Sequence, residues 1–217
     1  MTTENIELIV LNFTKFRENS IILHTLSKDY GRKSFFVKLG KKANMAMFLP
    51  LNVLEADVVP NPRTNLWDAK HFAARFPLFG IRNNLYKNSM TMFMSEVLFK
   101  VLREGAMEEG LYEWSIREIL LLDALEDDFS NFHIRFLLEL AVELGFRPTW
   151  EDMEPFAGEE AAQIHEFMSS SFEESMLVRM KGETRNRLCE HIISYLEYHT
   201  ESSINIKSLS VLRELFG

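Results

Sequence analysis

Residues 20–42 read SIILHTLSKDYGRKSFFVKLGKK. Two runs of β-branched and aromatic side chains, 20–26 and 33–39, flank the turn signal Asp29-Tyr30-Gly31, and a second turn signal follows at 40–44, the pattern of a β-hairpin. Alternation in the second run sets Phe35, Val37 and Leu39 on one face and Arg32, Ser34, Phe36 and Lys38 on or beside the other. The same stretch gathers Lys28, Arg32, Lys33, Lys38, Lys41 and Lys42 against Asp29 alone. A local basic stripe of this kind points to an anionic ligand held at one place.

Outward from this hairpin, segments 6–13, 45–58 and 66–76 have the same strand composition, bounded by Glu18-Asn19 and Pro60-Asn61-Pro62. Within the last of them, 67–74 reads either as strand or as a helical turn. Five strands at this spacing fit a small closed barrel, of which the OB-fold is the commonest five-stranded example.

Beyond Pro77 the hydrophobic period becomes 3.6, with Met90, Met94, Val97 and Val101 on one helical face and Glu96, Lys100 and Glu104 off it. Further helices are predicted over 111–126, over 131–144 with Asn131 as N-cap and Gly145 and Pro148 as stops, and over 183–198 and 207–216. The 131–144 helix is apolar on most sides and belongs in the middle of a bundle. The acidic stretch 148–170 reads as an exposed connection with at most a short helix. The expected class is α+β: a five-stranded OB-fold barrel in residues 1–80, followed by an all-α helical domain in 81–217.

Charge divides along the same line. Residues 1–80 carry 11 Lys and Arg against 7 Asp and Glu, whereas 81–217 carry 13 against 25, giving −8 for the whole chain of 217 residues. A net acidic chain does not coat nucleic acid or an anionic membrane with its whole surface, so any such contact is confined to a patch. Apolar runs such as 119–122 are too short to span a bilayer, and residues 1–11 lack a basic segment followed by a long apolar core. A cytoplasmic protein with no membrane partner is the expectation.

Signatures of catalysis are missing. No GxxxxGK[ST], GxGxxG or GxSxG occurs, and the histidines at 24, 71, 133, 165, 191 and 199 form no HExxH. Cys189 is the single cysteine, and Cys189-Glu190-His191 with His199 is a poor zinc spacing. Met90, Met92 and Met94 read as helix core, and His133 as a histidine hydrogen-bonded inside the bundle. No catalytic residue, metal or cofactor is expected.

An ordered set of short matches resembles the RecO family of bacterial recombination-repair proteins, in the short form of the Bacteroidetes group. It comprises Tyr30-Gly31-Arg32, Leu49-Pro50-Leu51, Glu96-Val97-Leu98 with Leu102-Arg103-Glu104, and Asn131-Phe132-His133 with Phe136-Leu137. It continues through Leu144-Gly145-Phe146 and Pro148, Arg185-Asn186-Arg187-Leu188, Tyr195, His199, Lys207-Ser208-Leu209 and 211–216. The resemblance implies an OB-fold and a helical domain in a non-enzymatic protein that binds single- and double-stranded DNA and anneals complementary strands. It also implies two partners, RecR and the C-terminal tail of single-stranded DNA-binding protein (SSB), in loading a recombinase onto SSB-coated DNA. Many relatives carry a four-cysteine zinc module where this chain has the acidic 151–170, so zinc is not expected. The basic loop 40–44 is short for the family.

The candidate DNA-binding residues are Arg32, Lys33, Phe36, Lys38, Lys41 and Lys42: an aromatic for base stacking, flanked by cations that track phosphates. Phe36 has a second reading, as a ring packed under a loop, and the lysines have one as a solvated hairpin tip. A second basic group, Arg179, Lys181, Arg185 and Arg187, either extends the track or balances nearby glutamates. For an acidic tail peptide, Arg117 or Arg135 beside an apolar pocket would receive the carboxylate, unless Glu118, Asp123 or Glu139 pairs with them. The rival functional reading is an adaptor that docks repair partners and has little DNA affinity of its own.

Overall fold

The computed structural model describes residues 2–40, 43–61, 64 and 66–216. It divides into two compact units, residues 1–78 with 102–116, and residues 79–101 with 117–217.

In the first unit, β1 (Glu4–Arg17), β2 (Ser20–Ser27), β3 (Gly31–Lys38), β4 (Val53–Val59) and β5 (Trp67–Ala74) close into a barrel in the order β1-β2-β3-β5-β4. Only the β3–β5 pairing is parallel, as an OB-fold requires. Alternating residues fill the interior, among them Leu8, Val10, Leu23, Phe35, Leu54, Ala56 and Val58, each fully buried. Residues 67–74 are therefore strand, and the core side chains of the opening hairpin follow the predicted alternation.

Three departures matter. β1 runs on to Arg17, and its register with β2 slips between Val10 and Asn12 and again between Lys15 and Arg17. Each slip leaves one extra residue on β1, Leu11 and then Phe16, and such bulges re-aim side chains. Residues 45–58 are not one strand: Met45–Phe48 is a 3-10 turn and β4 starts at Val53. Asn44 caps that turn by accepting from Ala46 N (3.1 Å), and the Asn52 amide donates to the carbonyls of Ala46 and Met47 (2.9 Å each). Side chain–backbone bonds of this sort offer the chain an alternative to the sheet ladder.

Third, residues 102–106 lie against β3. Gly105 N donates to Arg32 O (2.7 Å) and Arg32 N to Ala106 O (3.1 Å). Gly31 permits this approach, because its φ is +59° and a Cβ there would sit 2.0 Å from Ala106 O.

The second unit is helical: α1 (Phe79–Arg82), α2 (Leu85–Val101), α3 (Leu111–Ala124, from residue 117), α4 (Phe132–Glu143), α5 (Trp150–Met153), α6 (Ala161–Ser169), α7 (Phe172–Leu177), α8 (Gly182–Thr200) and α9 (Ser208–Phe216). As predicted, α4 is its buried centre, packed on α2 and α8 with Phe132, Ile134, Phe136, Leu137 and Leu140 excluded from water. Glu96 of α2 accepts from Lys207 N, Ser208 N and Ser208 Oγ (3.1, 2.8 and 2.6 Å), satisfying the start of α9. The buried Lys87 ammonium meets the carbonyls of Asp123 and Leu125 at the end of α3.

Several local expectations change. Asn131 makes no cap hydrogen bond with its side chain, which instead donates to Ser175 O (3.0 Å) and Val178 O (2.7 Å) and accepts from Arg185 Nε (3.0 Å). Both nitrogens of His133 are buried without a hydrogen-bond partner, the ring lying against Phe93 and Phe216, and burial lowers its pKa to about 3. Met92 is exposed, although Met90 and Met94 are core. The acidic 148–170 folds into α5 and α6: Thr149 and Asp152 form a capping box, and Ile164 and Phe167 bury one face of α6. Trp150 and His165 meet edge to face at 4.9 Å, and the buried Glu160 binds Arg187 and His191.

Candidate nucleic-acid interface

The outer face of the hairpin changes character along β3. At its start, Glu104 receives three hydrogen-bond donors. Ser34 N donates to Oε1 (2.8 Å), Ser34 Oγ to Oε2 (2.9 Å), and Arg32 forms an ion pair with the same carboxylate. Because the Ser34 hydroxyl proton faces Glu104, its oxygen accepts from His24 Nδ1 (2.8 Å), leaving His24 Nε2 to accept from Thr14 Oγ1 (3.1 Å). The His24 pKa is lowered, first by burial and then by Arg32, which suits this neutral tautomer. Arg32 is buried, and Glu104 opposes its charge.

Lys33 points to the other side of the strand, where it closes one end of the barrel. Its ammonium lies 4.0 Å from the Trp67 ring centroid and 5.2 Å from that of Tyr30, and those two rings meet edge to face at 5.0 Å. Burial lowers its pKa. The Tyr30 hydroxyl donates to Glu4, a bond that pushes its pKa up to about 12.

Towards the end of β3 the outer face opens. Thr14, Ile22 and Phe36 lie in one cross-strand row, with Asp68 beside Phe36 on β5. The bulged Phe16, 54% exposed, meets Phe36 edge to face at 6.0 Å, and the Arg17 guanidinium lies 5.3 Å from the Phe16 centroid. Lys38 is exposed at the strand end, opposite Ser20, and Lys15 and Phe13 are exposed on β1. Phe36 itself is half-buried. The result is an aromatic pair rimmed by Arg17 and Lys38, with Asp68 on its β5 side. Lys41 and Lys42 lie outside the described residues.

Phe16 and Arg17 lie beyond the strand that composition predicts over 6–13, on the part of β1 that runs on to Arg17. The sequence signal is there: Phe13-Thr14-Lys15-Phe16-Arg17 interleaves two aromatics with two cations.

The second basic group divides differently. Arg185 is buried and donates to Asn131 Oδ1, with the carbonyls of Met180 and Phe216 at 3.4 and 3.5 Å. Arg187 pairs with Glu160 and with Glu183 (3.0 Å), while Arg179 and Lys181 are exposed. Burial opposes ionisation of Glu160, yet the His191 and Arg187 hydrogen bonds hold its pKa below the usual carboxylate value. Half of this group is thus engaged in internal bonding, and half faces solvent.

Of the two residues considered for a peptide carboxylate, Arg135 pairs with Glu139 (2.7 Å) and donates to Ser170 O (3.1 Å), whereas Arg117 is exposed on α3. Beside them Glu118 is buried. Desolvation, with the charge of Glu139, pushes its pKa up to about 7 against the opposing pull of Arg117 and Arg135.

Among the described residues no group of three or more His, Cys, Asp and Glu is placed to hold a metal ion, and no helix is long and apolar enough to cross a membrane.

Comparison with known proteins agrees with the two-part architecture. Residues 1–68 match the family model "Recombination protein O N terminal" and residues 82–153 match "Recombination protein O C terminal". The chain is 30% identical over 234 aligned residues to the DNA repair protein RecO of Phocaeicola vulgatus, covering 96% of this chain and 97% of that protein. Proteins of the same name from Flavobacterium johnsoniae and Porphyromonas gingivalis are 28% and 25% identical, with the same coverage of both chains.

Proposed function

The chain belongs to the RecO family of DNA repair proteins, and from that premise we propose that it is a non-enzymatic recombination mediator that binds single- and double-stranded DNA and anneals complementary strands. The observation that carries this reading is the exposed Phe16 ring against Phe36, with Arg17 and Lys38 at its edges. Bases stack on such rings whatever their sequence, for about 1–3 kcal/mol each, while cations follow the phosphates. Holding two strands' phosphates near one basic surface lowers their repulsion, so complementary bases pair without any bond being made or broken. The acidic helical unit would repel DNA from other faces and dock partner proteins, RecR and the SSB tail, with the exposed Arg117 as a cation for a peptide carboxylate. A cytoplasmic, nucleoid-associated location follows from this role.

One observation favours the adaptor reading instead. Glu104 opposes Arg32, Lys33 is drawn onto Trp67, and Asp68 adjoins Phe36, so among the described residues two cations of the stripe are engaged by the protein itself. Titration of oligothymidylate binding against salt separates the two. About four neutralised phosphates give a log-log slope near −3, and Phe16→Ala with Phe36→Ala weakens single-strand binding about tenfold or more. A wild-type protein that binds an acidic SSB-tail peptide but no single strand near physiological salt is an adaptor.

A further inference from the structure

Where β3 ends, Val37, Leu39, Met47, Phe48, Ala69 and Phe72 enclose an open cavity of about 350 Å³, with Gly40 and Ala43 on one side and Lys38 and Lys70 at the rim. Phe48 and Phe72 meet edge to face at 5.1 Å, a fixed aromatic wall. His71 also borders the cavity, but its Nδ1 is bonded to Asp57 (2.9 Å). Among the described residues the lining therefore offers apolar surface and two ammonium groups, with no acidic side chain.

This chemistry selects its occupant. The volume lies near the low end for small-ligand sites, enough for one ring system and too little for a helix. The two lysines call for an anion, Lys70 even with Asp57 opposite it on β4, and the apolar walls for a flat, weakly hydrated body attached to it. Lys38 belongs both to this rim and to the outer face that carries Phe36 two residues earlier, so a strand laid along Phe16 and Phe36 reaches the cavity without a break.

We propose that this cavity receives one unpaired base of a single strand, with Lys38 and Lys70 on the flanking phosphates. The inference rests on the DNA-binding reading and deepens it. A duplex keeps its bases stacked and paired and cannot fill the cavity without extruding one, so the site favours single strands. Stacking on Phe16 and Phe36 would be shared by any exposed base, whereas the cavity engages a single nucleotide.

The test blocks the cavity without touching the stacking face. A Cβ at Gly40 meets nothing within 4 Å and Ala43 is exposed, so Gly40→Leu/Ala43→Leu leaves the barrel folded, which circular dichroism checks. An oligothymidylate carrying 2-aminopurine at successive positions is titrated with each protein. The wild type changes the fluorescence sharply at one position, and the double variant loses that change and binds the single strand about tenfold more weakly, with duplex affinity unaltered. Lys70→Ala weakens single-strand binding and keeps the fluorescence change. If the double variant matches the wild type in affinity and fluorescence while Phe16→Ala still weakens binding, the cavity proposal fails and the DNA-binding reading stands. If the wild type binds no single strand, both fail. If the Met47 methyl signal moves with an acidic, aromatic peptide and not with oligothymidylate, the cavity is a peptide site and the proposal is overturned.

Discussion

At the start of β3, Arg32 is buried under residues 104–106 with Glu104 against its guanidinium; six residues on, Lys38 is exposed near the half-buried Phe36 and the exposed Phe16. Both are cations of one hairpin and both fall on its outer face by alternation. What separates them is a carboxylate 70 residues away from Ser34 in sequence, held by the backbone as well as by charge. The group 179–187 repeats the lesson at the start of α8: Arg185 bonds inward to Asn131, and Arg187 bonds Glu160, while Arg179 and Lys181, just before the helix, face solvent. A run of cations in a sequence states how much positive charge is present, and the three-dimensional neighbours decide how much of it a ligand meets.

The strongest way to break this distinction is Arg185→Met. If the arginine were a DNA contact, its loss would weaken binding and leave stability alone. As an internal donor to Asn131, its loss orphans a buried amide oxygen and opens the contact with Phe216. We expect a loss of about 3 kcal/mol in urea unfolding, with single-strand affinity unchanged below the transition.

A buried acid sharpens the comparison from the other sign. Glu118 is excluded from water and its pKa is raised to about 7, by burial first and then by Glu139 and Glu143, despite Arg117 and Arg135. The folded state thus holds this proton more tightly than the unfolded chain, whose glutamate titrates near 4.5. The stabilisation is complete below pH 4.5, declines as pH rises towards 7, and is gone above it, a change of about 2–3 kcal/mol. Glu118→Gln, neutral throughout, flattens that part of the profile. An unchanged slope in the variant would show that the two arginines already neutralise the carboxylate.

Much of this molecule was legible in the sequence, because its barrel and bundle obey simple periods. The 2.0 period of Phe35 and Val37 and the 3.6 period of Met90, Met94, Val97 and Val101 are consequences of burial, and burial needs no knowledge of partners. Bulges and side chain–backbone bonds break those periods. Phe16 was hidden because the extra residue on β1 interrupts alternation, and 45–48 because Asn44 and Asn52 bond the backbone into a 3-10 turn. The acidic 148–170 looked unpatterned since its anchor, Glu160, is a buried charge whose partners lie 27 and 31 residues further on. The candidate site was half legible for the same reason: Phe36 and Lys38 follow from alternation, whereas the cover over Arg32 comes from Glu104.

The smallest effects test the two ends of β3 directly, through the single substitutions Glu104→Gln and Lys38→Ala. Glu104 is half-exposed, so solvent screens the pair and its loss costs about 1 kcal/mol of stability, much of it in the Ser34 hydrogen bonds that glutamine retains in part. In exchange Arg32 loses its counter-charge, and a strand crossing this face gains a phosphate partner, so single-strand affinity rises about twofold to threefold and the salt slope steepens by about 0.7. Lys38→Ala should do the reverse: stability within about 0.5 kcal/mol of wild type, affinity down by a similar factor, and the slope shallower by about 0.7. The two changes act on separate phosphates, so combined they restore the wild-type slope. A Glu104→Gln protein with unchanged slope would mean that residues 104–106 still cover Arg32 through their backbone bonds, and that the open end of β3 carries the whole electrostatic contact.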